Sequence, residues 1–350
     1  GPKLQHAFAE GCASEGVAVC DLGVVPTPAV AWMSNADGLP AAMLSASHNP
    51  WSDNGVKLFE PGGKKLTDAD QDVIQALLDA ETVVEARAPD ITTGSIQRYL
   101  DAIVHSIDGR SFGGTRVVLD CANGSASTTA REVFERLGAD VITVADTPDG
   151  RNINDGVGST NPHFVIDAVR RHGASVGFAF DGDADRVLAC GHDGSLIDGD
   201  RILAMGAIDR RDHGLLPHRT VVITVMANLG FRHAMRGNGI TMVETPVGDR
   251  YVLEALDAGG YALGGEQSGH IIHRDLATTG DGVLTAVQLL DAAVRRGIDV
   301  GTWADSVMTS YPQVLENVRI PGRIDDLDER LAEAIDEEEA VLGDSGRVLV

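Results

Sequence analysis

Three short strings in this chain hold side chains that could do chemistry. The first, Ser45-Ala46-Ser47-His48-Asn49-Pro50, sets a serine between small residues and backs it with His-Asn-Pro. Pro50 fixes its own φ and pushes Asn49 out of the helical region, so the loop has a restricted shape that can hold out a hydroxyl. By itself the string also fits an ordinary serine-rich turn. Lysine is rare, occurring only as Lys3, Lys57, Lys64 and Lys65, and the last three follow this loop. Lys57 is the one suited to chemistry, since a lysine can lower its pKa and act as a base where arginine cannot. Lys64 and Lys65 read as an exposed, charged strand edge.

The second string, Asp181-Gly182-Asp183-Ala184-Asp185-Arg186, puts carboxylates on alternate positions with Gly and Ala between them. Small spacers let the backbone curl until the oxygens converge on a hard cation. An EF-hand loop also opens D-x-D-x-D, but it needs glycine at its sixth position and glutamate at its twelfth, where Arg186 and His192 stand. The apolar run over 174–180 is strand-like, whereas an EF-hand requires a helix there. A solvated acidic turn is the other alternative. Mg²⁺ is the natural occupant of such a set, because it takes a few carboxylates and leaves a position for a phosphate oxygen. Arg186 could then pair with the same phosphate.

The third string is Gly264-Gly265-Glu266-Gln267-Ser268-Gly269-His270, accompanied by Val247-Gly248-Asp249-Arg250-Tyr251. Glycines around Glu266-Gln267-Ser268 let a backbone approach a ligand closely. A carboxylate and a hydroxyl two residues apart suit neighbouring sugar hydroxyls. A glycine-rich turn whose acid only satisfies backbone N–H groups fits these residues equally well, and His270 reads either as a proton donor or as a structural histidine.

The elements that would position these strings follow a repeated phrase. Residues 4–15 have helical spacing, stop at Gly16 and give way to the strand-like Val17 to Cys20. Arg131 to Leu137 stops at Gly138 and feeds Asp140 to Val144; Phe231 to Arg236 stops at Gly237 or Gly239 and feeds Ile240 to Val243. Helix, glycine stop and strand recur each time. Upstream, Val117 to Leu119 enters a Cys-Ala-Asn-Gly loop and Val221 to Val225 a Met-Ala-Asn-Leu-Gly loop. The reading is three tandem α/β units, mixed sheets sandwiched by helices, with chance recurrence of βαβ as the alternative. Breaks in composition place the domains at 1–107, 108–210 and 211–312. Residues 313–350 are then the start of a fourth, α+β domain, with an amphipathic helix over Asp325 to Ala340 and a new strand within 343–350. Val187 to Ile197 is expected to form a hairpin through Asp193-Gly194.

Composition bounds the function. A chain of 350 residues exceeds one ordinary core, and 43% hydrophobic with 23% charged residues is that of a soluble globular protein. A net charge of −24 argues against nucleic acid, whose phosphates need a basic face. It leaves room for a small anionic substrate held by local Arg and Lys. Cys12, Cys20, Cys121 and Cys190 show no CxxC or metal spacing and read as reduced, mostly buried residues of a cytosolic protein. No apolar run reaches membrane-spanning length.

Taken together, SASHNP with DNGVK, DGDADR and GEQSGH resemble the α-D-phosphohexomutase superfamily in order and spacing. Pro26 to Pro28, Gly150 to Thr160, Val247 to Glu254 and Thr279 to Gly282 extend the likeness over nearly the whole chain. The resemblance implies a fold of four domains around a cleft, the first three alike. It implies that Ser47 carries a phosphoryl group as phosphoserine, and that Asp181, Asp183 and Asp185 hold one Mg²⁺ together with that group on Ser47. Arg186, His48 and Lys57 would sit at the transferred phosphoryl, Lys57 as a general base. Glu266 and Ser268 would hold sugar hydroxyls with Gly248, Asp249 and Arg250 alongside, and His270 would lie near the reacting end. Gln267, where neutral-sugar relatives usually have methionine, favours the amino-sugar branch. The implied substrate is a phosphorylated amino sugar, interconverted between its 6- and 1-phosphates through a 1,6-bisphosphate in the cytoplasm, for nucleotide-sugar and cell-wall precursors. No nucleic acid or membrane partner is implied, and a homodimer is left open.

Against the family pattern, the opening GTDGxRG and GRDxRxSG strings are missing before Gly1, and the phosphate-clamping R-x-SGTE-P loop is missing after Val350. The resemblance therefore implies a chain shortened at both ends. The rival functions are a phosphomannomutase/phosphoglucomutase, a phosphatase with Asp181 or Asp183 as nucleophile, and a metal-stabilised sugar-phosphate binding module.

Overall fold

The structure is a computed structural model that describes residues 1–80, 87–319, 322, 324 and 326–350. Its first strands are β1 (Val19–Asp21), β2 (Ala41–Ser45), β3 (Gly55–Glu60), β4 (Lys64–Lys65) and β5 (Ile91–Thr93). β1 pairs in parallel with β5, and β2-β3-β4 is an antiparallel meander. A second set, β6 (Arg116–Asp120), β7 (Asp140–Val144), β8 (Val176–Phe180), β9 (Val187–Gly191) and β10 (Leu196–Ile197), forms one sheet in the order β10-β9-β8-β6-β7. The third set, β11 (Thr220–Thr224), β12 (Thr241–Thr245), β13 (Leu263–Gly265) and β14 (Ile271–His273), is ordered β12-β11-β13-β14.

The second and third sheets share one plan. In each, the first strand is central, its two parallel neighbours follow in sequence, and the fourth strand turns back antiparallel. This is the tandem α/β reading in physical form. β8 is buried at every residue, as expected of a strand covered on both faces. The glycine stops behave as the spacing predicts: Gly16, Gly138 and Gly239 all take positive φ just after helices Pro2–Ser14, Ala130–Arg136 and Leu229–Gly237. β9 and β10 make the hairpin expected through Asp193-Gly194.

Some expectations are corrected. The charged helix spans Leu327–Leu342; its expected first residue, Asp325, lies outside the described residues. The strand expected within 343–350 is not formed. Gly343–Ser345 is a single 3₁₀ turn, and the rest finds no ladder partner among the described residues. Arg347 instead donates to the backbone carbonyls of Val225 and Ala227, the latter at 2.8 Å, drawing this segment onto the end of β11. Helix Gly199–Asp212 packs on β13 and on helix Gly282–Arg296. All four cysteines are free, but only Cys121 and Cys190 are buried, while Cys20 is exposed. Among the described residues, no helix is long and apolar enough to cross a membrane.

Candidate active site

β2 ends at Ser45, whose hydroxyl accepts the Ser47 N–H at 2.9 Å. The chain turns at once, and Ser47 takes φ 52°. A left-handed conformation in a non-glycine residue costs roughly 1–3 kcal/mol and persists only where its surroundings over-determine it. Here they do. The Ser47 hydroxyl donates to Asp183 Oδ1 at 2.8 Å, and Asn154 Nδ2 donates to the carbonyls of Ser47 and Asn49 at 2.7 and 3.0 Å. Gly182 lies so close that a Cβ there would stand 2.4 Å from the Ser47 carbonyl oxygen, which requires glycine at that spacer.

The carboxylate string connects β8 to β9, the strand-to-strand setting that separates it from an EF-hand. Asp181, Asp183 and Asp185 are all buried, with one ligand oxygen from each within 4.8 Å of the others. Asp183 Oδ2 accepts from Thr27 Oγ1 at 2.6 Å and from Lys57 Nζ at 2.7 Å, and Lys57 also reaches Asp185 Oδ2 at 3.2 Å. Asp181 Oδ2 and Asp185 Oδ1 are buried without a hydrogen-bond partner. Burial, with Asp185 and Asp183 beside it, holds the Asp181 carboxyl well above the usual carboxylate range. Converging buried oxygens, two of them orphaned, are what a hard dication satisfies, so the residues fit Mg²⁺.

Lys57, on β3, stands between Asp183 and Asp185. Burial alone would lower its pKa, but Asp185 and Asp183 outweigh burial and raise it above the ordinary lysine value. His48 is the imidazole at the serine: its Nδ1 lies 3.5 Å from Ser47 Oγ, and burial, with Arg186 nearby, holds its pKa below the usual histidine value. Arg186 lines the same cleft, and its Nε is buried without a hydrogen bond, 3.9 Å from Asp185 Oδ1.

The third string is the turn between β13 and β14. Glu266 Oε1 accepts the Gly248 N–H at 3.2 Å, and Ser268 Oγ lies 3.4 Å from Glu266 Oε2. The Val187 N–H bond to the Gly269 carbonyl at 3.1 Å stitches this turn to the strand after the carboxylate loop, and the Gly199 N–H bond to the Gln267 carbonyl at 3.0 Å ties it to the start of helix Gly199–Asp212. His270 is 2% exposed, and its Nε2 accepts the Gly280 N–H at 3.2 Å. Its ring lies between two site carboxylates, with Nδ1 3.6 Å from Asp185 Oδ1 and Nε2 3.7 Å from Asp249 Oδ2. Arg250 Nε donates to Glu254 Oε1 at 2.7 Å, and the cleft lining includes Asp249 beside it. One step along the helix from Asp249 rotates its side chain by about 100°.

Lys64 is exposed, as expected of a charged edge, while Lys65 is partly buried. Lys65 lines the cleft and pairs with Asp249, and Lys64 pairs with Asp257 at 2.6 Å, so β4 is tied to the third unit. Burial pushes the Asp249 carboxyl up, but His270 and Lys65 prevail and hold it below the usual range. Two residues escaped assignment. Thr27 and Asn154 both lie in strings that carried the family likeness, but their partners are 156 and 107 residues away, and no local spacing announces them. All three strings meet in one cleft of about 640 Å³, a size suited to a hexose phosphate.

Models of the phosphoglucomutase/phosphomannomutase alpha/beta/alpha domains match the chain in order: domain I over residues 1–85, domain II over 97–194 and domain III over 198–311. A phosphoglucosamine mutase of Thermobifida fusca is 50% identical over 357 residues, covering 100% of this chain and 79% of that protein. Among solved structures, a phosphoglucomutase/phosphomannomutase family protein from Burkholderia thailandensis matches with a TM-score of 0.76 and 26% identity, over 90% of this chain and 69% of that one. The N-acetylphosphoglucosamine mutase of Aspergillus fumigatus, solved in complex with GlcNAc-6P and magnesium, shares the fold. Its TM-score is 0.61 at 18% identity, over 87% of this chain and 83% of that one.

Proposed function

The chain belongs to the phosphoglucomutase/phosphomannomutase family, and we propose that within it the protein interconverts glucosamine 6-phosphate and glucosamine 1-phosphate. The observation that carries this reading is the Ser47 hydroxyl bonded to Asp183 at the mouth of a buried carboxylate triad, in a cleft shared with the Glu266-Ser268 turn.

Phosphorylated Ser47 gives its phosphoryl to O1 of glucosamine 6-phosphate. The P–Oγ bond breaks, a P–O1 bond forms, and the proton of the O1 hydroxyl ends on Oγ. The 1,6-bisphosphate then turns around in the cleft. Ser47 Oγ takes the phosphoryl from O6 and its proton passes to O6, leaving glucosamine 1-phosphate. His48, beside Oγ and with its pKa held below the usual histidine value, carries that proton. Lys57 and Arg186 offset the charge of the transferring group, which is most of what phosphoryl transfer asks of a protein. Mg²⁺ held by Asp181, Asp183 and Asp185 would add charge neutralisation at the same phosphoryl oxygens. Glu266 and Ser268 hold ring hydroxyls, Gly248 steadies Glu266 through its N–H, and the Asp249–Lys65 pair closes β4 against the third unit.

Such an enzyme works in the cytoplasm, supplying precursors of nucleotide amino sugars and cell wall. A coupled assay comparing glucosamine, glucose and mannose 6-phosphates tests the assignment. Glucosamine 6-phosphate is expected to dominate in kcat/KM; dominance of glucose 6-phosphate would overturn the choice.

A further inference from the structure

Gln267 lies between Glu266 and Ser268 and lines the cleft, as does Met226. The orientation of its side-chain amide is set from outside. A backbone carbonyl can only accept, so the Gln313 atom 3.2 Å from the Met226 carbonyl oxygen is the amide nitrogen. The Gln313 amide oxygen therefore faces Gln267, and the Gln267 atom 2.7 Å from it is Nε2. The anchor is itself fixed, because Arg347 bonds the carbonyls of Val225 and Ala227 on either side of Met226. With Nε2 turned onto Gln313, the group Gln267 has left for a ligand is Oε1, to which none of the described residues donates.

We infer that Gln313 is a specificity-determining residue that acts through Gln267, presenting Oε1 to the cleft as an acceptor that reads a protonated amine on the sugar. This rests on the amino-sugar reading above and gives it a physical basis. An ammonium group only donates, and its charge-assisted bond to a carbonyl oxygen is about twice as strong as that of a neutral hydroxyl. The Glu266 carboxylate next in the turn adds to the preference for a cation. Without Gln313 the Gln267 amide is free to rotate and offers Nε2 as readily, a donor that a hydroxyl accepts and an ammonium cannot.

The test is the ratio of kcat/KM for glucosamine 6-phosphate over glucose 6-phosphate. Gln313 is exposed, outside the core, so its removal leaves the fold intact. Gln313→Ala is expected to lower the ratio about 3- to 10-fold, mostly through KM, with the glucose value within about 2-fold of the parent. Gln267→Leu, which deletes the acceptor, lowers the ratio further, and Gln267→Glu, which keeps an acceptor oxygen, retains it. A role confined to folding would lower both substrates alike. A parent protein without preference for the amino sugar overturns both readings. A parent with that preference whose Gln313→Ala variant keeps the ratio overturns this one alone.

Discussion

The hydroxyl of Ser47 donates to Asp183 Oδ1 at 2.8 Å, joining two loops that are 136 residues apart in the chain. Neither loop has a settled meaning alone. The serine loop is a strained turn, and the carboxylate loop is a concentration of buried negative charge. Brought together, the carboxylates would give a dianion on Ser47 a cation to meet, and Lys57 and Arg186 would share the neutralisation. The left-handed backbone of Ser47 is the local cost of holding that hydroxyl at the triad.

Asn154 sets this geometry from the second unit, holding the carbonyls of Ser47 and Asn49 with one amide nitrogen. We predict that Asn154→Ala lowers kcat by about 10- to 100-fold, because displacement of a reacting atom by even an ångström is costly in phosphoryl transfer. KM should change little, since Asn154 does not line the cleft. Steady-state kinetics check this, and a raised KM with unchanged kcat would contradict it.

Metal binding is expected to be visible without turnover. Mg²⁺ added to protein stripped by chelator should raise the thermal midpoint, by linkage equivalent to about 2.7 kcal/mol at one hundred times its Kd. Asp181→Asn neutralises the carboxylate whose Oδ2 is buried without a partner, so it should abolish the Mg²⁺-dependent shift and lower turnover by about 100-fold or more. An undiminished Mg²⁺ shift in that variant would show that the ion binds elsewhere.

Asp200 gives a pH signature. It is buried in helix Gly199–Asp212, and burial pushes its carboxyl up to about 7 even though it accepts the Asn228 N–H at 2.8 Å. An unfolded aspartate titrates near about 3.9. Between these values the folded protein keeps a proton that the unfolded chain releases, so this group's contribution to stability is lost as pH rises and levels off above about 7. Asp200→Asn keeps an acceptor for Asn228 without the titration. Its stability relative to the parent should therefore grow from pH 4 to 7 and then hold constant, by up to about 4 kcal/mol. Thermal midpoints of both proteins at pH 5 and pH 8 read this out; a difference independent of pH would refute it.

The local elements were legible because their signals are local. β7 was read at its observed bounds, and the hairpin after the carboxylate loop follows from Asp193-Gly194. The site's members were legible as strings, since Gly182 and the glycines around Glu266 mark close approach. What could not be read depends on partners far along the chain. Lys57 has its pKa raised because Asp183 and Asp185 sit beside it, and Lys65 is a tie because Asp249 comes to meet it. The contacts of His270 with Asp185 and of Arg250 with Glu254 follow from tertiary packing and helical rotation, and spacing along the chain reports neither. The strand expected within 343–350 has the right residues but no neighbour to pair with among those described.

The central claim is that Ser47 carries the phosphoryl group. Phosphosite mapping by mass spectrometry, after incubation with glucosamine 1,6-bisphosphate, tests it most directly. The account predicts an acid-stable phosphate on Ser47, absent from a Ser47→Ala variant that has lost nearly all mutase turnover. An acid-labile adduct on Asp181 or Asp183, or near-normal turnover in Ser47→Ala, would contradict it.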